Sequence, residues 1–252
     1  MKEHPRIGII GYGRMGKTLA RLVDERGWPQ PVIVDPTADA AFSSVADAPL
    51  DSVDVCIEFT QPDTAADNIL SLLAGGMPVV SGTTGWDSRM DAVGAEVRRL
   101  DGAFLHANNF SIGVYLFSEL VRRTAELMSA FPQYDLALHE SHHRGKKDVP
   151  SGTANTLAKR IIDAHAHKRS AALLPVEGPL DPETLYISAS RIGHVFGEHQ
   201  ITADSEADSI TLTHRAKGRL GFADGALTAA QWIIGKHGIF TLEDMIHDLT
   251  TA

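Results

Sequence analysis

Residues 6–16, Arg6-Ile7-Gly8-Ile9-Ile10-Gly11-Tyr12-Gly13-Arg14-Met15-Gly16, constrain the fold more than any other stretch of this chain. An apolar run of strand length meets three glycines spaced G-x-G-x-x-G and passes directly into a helical pattern through Leu19, Leu22 and Val23. In a parallel α/β sheet, Gly11 then makes the tight turn, Gly13 lets backbone approach a pyrophosphate, and Gly16 lets helix and strand pack closely. The phosphates lie at the positive end of the helix, where Tyr12, Arg14 and Met15 share the turn. Such a site wants an acidic residue about 20 residues on, at the end of the second strand, to bond the adenine ribose hydroxyls. Asp35 stands there in Val32-Ile33-Val34-Asp35. The competing reading is a glycine-rich turn of the same fold that binds no dinucleotide, since fold alone does not set function.

The residues after this turn keep the same rhythm. Short apolar runs at 31–34, 53–59, 78–80 and 103–106 alternate with amphipathic helical segments, which predicts βαβ units and a Rossmann, doubly wound parallel sheet over residues 1–108. From residue 135 extended candidates follow one another at 135–139, 185–192, 195–203 and 209–215, with one clear helix at 151–165. Residues 109–234 therefore read as a second, mixed-sheet α+β domain. Helices are predicted at 221–236 and 241–249, the latter capped by Thr241 with Asp244 three residues on. The tail 235–252 is expected to return to the first domain.

Cofactor preference is read at the end of the second strand. Asp35 is followed by Pro36, where an NADPH-selective site would offer a cation to the 2′-phosphate, so the pattern favours NADH. Lys17 and Arg14, on the first helical turn, are cations that would serve a phosphate or simply solvate the helix start. Two further strand ends face the ligand side of such a sheet. One carries Gly82-Thr83-Thr84-Gly85 and the other Ala107-Asn108-Asn109-Phe110-Ser111. They serve either the nicotinamide and its ribose or ordinary turn chemistry.

The densest titratable cluster runs from His139 to Ala154: His139-Glu140-Ser141-His142-His143-Arg144-Gly145-Lys146-Lys147-Asp148-Val149-Pro150-Ser151-Gly152-Thr153-Ala154. It follows a strand and precedes a helix whose N-cap is Ser151. Free N–H groups at Gly152 and Thr153 would face the preceding loop, and a carboxylate suits such a place. Crowded imidazole and ammonium groups depress one another's pKa, which brings proton donors toward working pH. The plain alternative is a basic surface loop. Adjacent histidines also raise a metal site, but His142-His143 lacks the spacing that sets two rings on one helix face, and no cysteine or carboxylate completes a ligand set. No metal is expected.

Composition bounds what remains. The chain has 252 residues and is 43% hydrophobic and 22% charged, an ordinary globular balance without need of disulfide or metal to fold. Cys56 is the only cysteine and lies in an apolar run, so it reads as a small buried hydrophobe. A net charge of −9 offers no general attraction to nucleic acid or an anionic membrane surface. With neither an apolar leader nor a span of about 18 apolar residues, the expected location is the cytoplasm.

The string from Glu140 to Ala154 closely resembles the E-x-H-H-x-x-K-x-D-x-P-S-G-T-A signature of the 4-hydroxy-tetrahydrodipicolinate reductases, also called dihydrodipicolinate reductases. The likeness extends to Glu58-Phe59-Thr60, Gly82-Thr83-Thr84-Gly85, Asn109-Phe110-Ser111-Ile112-Gly113, Gly197-Glu198-His199, Thr213-His214-Arg215-Ala216 and Arg219. Two departures stand out: the segment after Asp35 is shorter than in many members, and Asn108 stands where small residues or proline are common. The resemblance implies a homotetramer that reduces a cyclic dicarboxylate with NADH or NADPH, its second domain serving substrate binding and oligomerisation. By the same resemblance His142 and Lys146 are the proton-donating pair, and His143, Ser151, Gly152, Thr153 and Arg219 are substrate ligands. Thr60, Ala107, Asn108, Asn109 and Phe110 join Gly11 to Gly16, Asp35 and Gly82 to Thr84 around the cofactor. An amino-acid or imino-acid dehydrogenase of the same layout, and a dinucleotide-sensing protein without catalysis, are the other readings.

Overall fold

The computed structural model describes residues 2–37 and 40–251. The chain divides into two compact units, Met1–Ile112 with Arg219–Ala252, and Gly113–Gly218.

In the first unit β1 (Ile7–Ile10), α1 (Arg14–Glu25), β2 (Val32–Val34), β3 (Val55–Glu58), α2 (Pro62–Ala74), β4 (Val79–Ser81), α3 (Met90–Leu100) and β5 (Ala103–His106) succeed one another. The alternation predicts parallel pairing, and every strand pair formed is parallel. β1, β3 and β5 are buried almost throughout, as strands covered on both faces must be. After β2 the chain crosses to the other side of β1 to lay down β3, so the strand ends at β1 and β3 form a topological switch point. In open α/β sheets ligands bind at that crevice. Cys56 is fully buried, and burial pushes its thiol up to about 12.

In the second unit α4 (Ile112–Met128), β6 (Asp135–His142), α5 (Gly152–Ala164), β7 (Ser170–Leu173), β8 (Thr184–Arg191), β9 (Gly197–Asp204) and β10 (Ser209–Ala216) build a five-stranded sheet in the order β10-β9-β6-β8-β7. The sheet is mixed. β6 runs parallel to β8 and antiparallel to β9. Its core joins Phe117, Val121 and Ala125 of α4, Leu157 and Ile161 of α5, and Leu136, Leu138, Ile187 and Ile201 of the sheet. Both helices thus cover one face.

The chain then continues through α6 (Leu220–Ile233), β11 (Gly238–Phe240) and α7 (Leu242–Thr251). β11 pairs with β5 and brings the first sheet to six parallel strands, ordered β11-β5-β4-β3-β1-β2. The sequence reading placed residues 219–234 in the second domain; in the structure they belong with the first unit. The cause is packing: α6 is apolar nearly all round and lies against α1, β3, β4 and β5. Its Gly225 passes so close to the Phe110 carbonyl that a Cβ would stand 1.9 Å from the oxygen.

The glycine turn shows why it needs glycine. Gly11 has φ +94°, and a Cβ there would meet the Phe59 carbonyl oxygen at 2.1 Å. A Cβ at Gly16 would stand 2.1 Å from the Gly11 carbonyl oxygen, whereas one at Gly13 would meet nothing within 4 Å. Gly16→Ala is therefore expected to destabilise the first unit by roughly 1–3 kcal/mol through overpacking against backbone, while Gly13→Ala leaves stability unchanged. Thermal melts of both variants beside the parent check this contrast.

Candidate functional site

Two groups of residues carry chemistry, one in each unit. In the first unit a cleft of about 410 Å³ opens at the carboxyl ends of β1, β3 and β4, lined by Gly13, Arg14, Met15, Phe59, Thr60, Gln61, Pro62, Gly82, Thr83, Thr84 and Arg219. The empty space over Gly13 is what backbone contact with a pyrophosphate requires. Asp35 fastens this turn to the end of β2. Its Oδ2 accepts from the Tyr12 N–H at 2.6 Å, and its Oδ1 from the N–H and hydroxyl of Thr37 at 2.8 and 3.0 Å. These residues fit a dinucleotide: an open glycine turn, an N-terminal helix end, an acid after β2 and two arginines on the cleft wall.

Of the expected cofactor residues Gly13, Arg14, Met15, Thr60, Gly82, Thr83 and Thr84 line this cleft, whereas Gly11, Tyr12, Gly16 and Asp35 stand outside its lining. Ala107, Asn108, Asn109 and Phe110 follow β5 and do not line it. Asn108 meets His106 Nε2 at 3.1 Å, and Asn109 Oδ1 accepts from the Ser111 N–H. Phe110 is buried with its ring edge toward Phe59, so its side chain supports the wall. Arg219, read from sequence as a substrate ligand, stands at the start of α6 and lines the cleft beside the glycine turn.

The second group is assembled by strand register. Along β6 alternate residues face the helices, so Leu136, Leu138, Glu140 and His142 are all buried. Pairing sets His199 of β9 opposite Glu140, and Arg191 of β8 opposite His142. Glu140 is fully shielded and forms the centre. Its Oε1 accepts from Arg191 Nη2 at 2.9 Å and from the Ser151 N–H at 3.1 Å; its Oε2 faces His142 Nδ1 at 3.4 Å and His199 Nε2 at 3.7 Å. Despite its burial, the carboxyl is held below its usual range by hydrogen bonds from Ser151 and Arg191 and by the charge of His142.

Around this centre the loop takes shape. Ser151 caps α5, its hydroxyl accepting from the Ala154 N–H at 3.2 Å and meeting His199 Nε2 at 3.2 Å. It is buried, so both its hydroxyl and its N–H are engaged inside the protein. Gly152 is open, with nothing within 4 Å of where a Cβ would lie. Lys146 Nζ pairs with Asp148 at 2.9 Å, and the exposed His143 accepts the Gly145 N–H at its Nδ1. Burial lowers the pKa of His142, Lys146 and Arg191 push it further down, and Glu140 opposes them. The charged form of the His142 ring is thereby disfavoured. Its Nδ1 and Glu140 Oε2 are both buried without a hydrogen-bond partner, and a proton on Nδ1 directed at the carboxylate answers both.

Sequence reasoning named His142 and Lys146 but gave no role to Glu140, Arg191 or His199. The period-2 alternation of a strand, which puts residues 140 and 142 on one face, was the available signal for Glu140. Arg191 and His199 come by register from distant strands. The expectation that no carboxylate accompanies the histidines is corrected: ligating atoms of Glu140, His142 and His199 lie within 4.8 Å of one another. Arg191 already supplies positive charge to Glu140, which disfavours a divalent cation at the same place.

Burial and the neighbouring charges of His142, His214 and Lys146 bring His199 down to about 4, against only Glu140 favouring its charged form. The unfolded chain takes up a proton near pH 6.5 that the folded ring refuses, so stability is fully present above 6.5 and falls as pH drops toward 4. The loss from this residue is at most about 3 kcal/mol. Urea unfolding across that window is expected to show the slope, and His199→Gln to flatten it.

Comparison with known proteins gives the family of the chain. A family model described as dihydrodipicolinate reductase, N-terminus, matches residues 5–110, and one described as dihydrodipicolinate reductase, C-terminus, matches residues 113–246. The chain is 37% identical to a 4-hydroxy-tetrahydrodipicolinate reductase of Christiangramia forsetii, over 96% of this chain and 98% of the relative. It is 33% identical to one of Methanoregula boonei, over 93% and 94%. Among solved structures, a dihydrodipicolinate reductase from Paenisporosarcina sp. TG-14 with dipicolinate bound superposes with TM-score 0.71 at 20% identity, covering 94% of this chain and 97% of that one. GenD2 from gentamicin A biosynthesis, solved in complex with NAD, shares the fold with TM-score 0.57 at 13% identity, covering all of this chain and 93% of its own. With both family models matched across nearly its whole length, the chain belongs to the dihydrodipicolinate reductase family.

Proposed function

We propose that the chain reduces 4-hydroxy-tetrahydrodipicolinate to tetrahydrodipicolinate in the diaminopimelate and lysine pathway, holding NADH or NADPH on its first unit and the dicarboxylate on residues 142–154. The observation that carries this reading is the Glu140-centred network, which sets an imidazole and the start of α5, with Lys146 held by Asp148 in the same loop, in a chain of this family. The dipicolinate in the relative from Paenisporosarcina is itself a cyclic dicarboxylate, which supports the substrate class. The family of the chain favours this reading over an amino-acid dehydrogenase of the same layout, and a sensor has no use for a proton donor.

Loss of the 4-hydroxyl together with a proton from the adjacent ring carbon releases water and leaves an unsaturated ring, to which a bound nicotinamide would supply hydride at the carbon that held the hydroxyl. The protein's task is to hold the dicarboxylate still and deliver a proton to the neighbouring carbon. One carboxylate is received by the N–H groups of Gly152 and Thr153 at the positive end of α5, with His143 and Lys146 beside it. Ser151 contributes as the cap that sets this helix end. The Lys146 ammonium, released from Asp148 as the substrate anion arrives, is the proton source, and His142 stands next to it with its orientation set by Glu140. Proton delivery by such a positioned group contributes about 10²–10⁴-fold.

On the first unit Gly11, Tyr12, Gly13, Arg14, Met15 and Gly16 receive the pyrophosphate, while Thr60, Gly82, Thr83 and Thr84 form the nicotinamide side. Ala107, Asn108, Asn109 and Phe110 support that side from the end of β5. Asp35 accepts the adenine ribose hydroxyls, and its negative charge with Pro36 following favours NADH over NADPH. Arg219 and Arg14 add positive charge for the anion in the cleft. A homotetramer fits the second sheet: α4 and α5 cover one face, and no helix of that unit covers the other, where His139, Ser141, Ser188 and Ser190 bond to one another. No helix among the described residues is long and apolar enough to cross a membrane, and a cytoplasmic location suits the pathway.

Substrate generated in place from pyruvate and aspartate semialdehyde by the upstream synthase should drive loss of NADH absorbance; no loss with either cofactor defeats the reading. Lys146→Ala is expected to lower kcat by about 10² or more with the dinucleotide Kd unchanged. Asp35→Ser is expected to shift the ratio of kcat/KM for NADPH over NADH upward by about tenfold, since the carboxylate no longer repels a 2′-phosphate. Steady-state kinetics with each cofactor reads both.

A further inference from the structure

Glu58 is a buried carboxylate that the proposed chemistry leaves unused. It ends β3 with no solvent exposure. Four donors converge on its two oxygens. Oε1 accepts from the Thr60 N–H at 2.9 Å, from the Thr60 hydroxyl and from the Thr83 hydroxyl at 2.8 Å, while Oε2 accepts from the Ser81 hydroxyl at 2.6 Å. All its contacts are acceptances, as for a carboxylate.

The consequence lies in the hydroxyls. A threonine hydroxyl has one proton and two lone pairs. Thr83 gives its proton to Glu58 and spends one lone pair on the Thr60 N–H at 2.7 Å. Thr83 also lines the cleft above the glycine turn, where its remaining lone pair is all it can offer. Thr60, its proton likewise turned inward, lines the same wall. We infer that Glu58 is a specificity-determining positioning residue: by drawing the Thr60 and Thr83 hydroxyl protons inward it leaves the Thr83 hydroxyl able only to accept a hydrogen bond from the cleft. The wall therefore selects a ligand group bearing donors, such as the primary amide of a nicotinamide, over an isosteric acceptor. This rests on the reading of the cleft as the nicotinamide side of a dinucleotide site.

The test compares binding, not turnover. Reduced NADH and its 3-acetylpyridine analogue, in which a methyl ketone replaces the amide, are titrated into the whole chain. Quenching of tryptophan fluorescence is a fitting signal, because Trp86 donates its indole N–H to the Thr83 carbonyl at 2.7 Å. The parent is expected to bind the amide form about tenfold more tightly, the scale of one lost hydrogen bond at a buried acceptor. In Glu58→Ala the inward acceptor is gone, the Thr83 hydroxyl proton is free to turn outward, and the preference falls to within about threefold of unity. Thr83→Val, which keeps the shape and removes the lone pair, must lose the preference too, and it decides the matter if Glu58→Ala does not fold. A parent that binds both forms equally, or variants that melt like the parent and keep its preference, overturn the inference while leaving the dinucleotide reading intact. Failure of the parent to bind either dinucleotide overturns both.

Discussion

One close backbone contact in the first unit governs the rest of it. Gly16 of α1 lies directly against the Gly11 carbonyl, and no side chain fits between them. That contact sets the height and tilt at which α1 starts, and so directs its unpaired N–H groups over the end of β1. The Gly11 N–H is held in turn by the Val34 carbonyl, and the Tyr12 N–H by Asp35, so the turn is tied to β2 on its far side. Phe59 donates its N–H to the Ile10 carbonyl and Gly82 its own to the Glu58 carbonyl, which ties the following strand ends together. The cleft is the space these short links leave.

In each unit a shielded carboxylate sits at or near the end of a central strand, Glu58 in β3 and Glu140 in β6, yet the two differ in what surrounds them. Glu58 is satisfied by hydroxyls and backbone. Glu140 is satisfied by a guanidinium and a backbone N–H and keeps one oxygen for imidazoles. The first arrangement fixes the direction of hydrogen bonds, and the second the charge and orientation of a titratable ring. Neither works unless every donor is present, because a buried charge left without partners is strongly destabilising.

Much of this was legible in the sequence where the requirement is local. The glycine spacing, Asp35 at the end of β2, and Ser151 as a cap are demands that a few neighbouring residues make on one another, and the structure has each in its expected place. Helix α4 was not legible: Phe117, Val121 and Ala125 face the core while Leu116, Leu120 and Leu127 are exposed, so apolar residues occupy both sides and blur the helical stripe. The short strands β7 and β11 carry no alternation to notice. The partnership of Glu140 with Arg191 and His199, and the seating of α6 in the first unit, depend on residues far apart in the chain. Composition shows that a helix must be buried, but not which core receives it.

The second unit is inserted between Ile112 and Arg219 of the first. During synthesis the ribosome therefore releases five strands of the first sheet long before α6 and β11, which cover and extend it. The nascent N-terminal sheet waits with an apolar face and an open edge, a state prone to association, while residues 113–218 emerge as a contiguous stretch with a core of their own. The inserted unit thus has its whole core in hand before the first unit receives α6 and β11, and the cleft gains Arg219 only after residues 113–218 have been made.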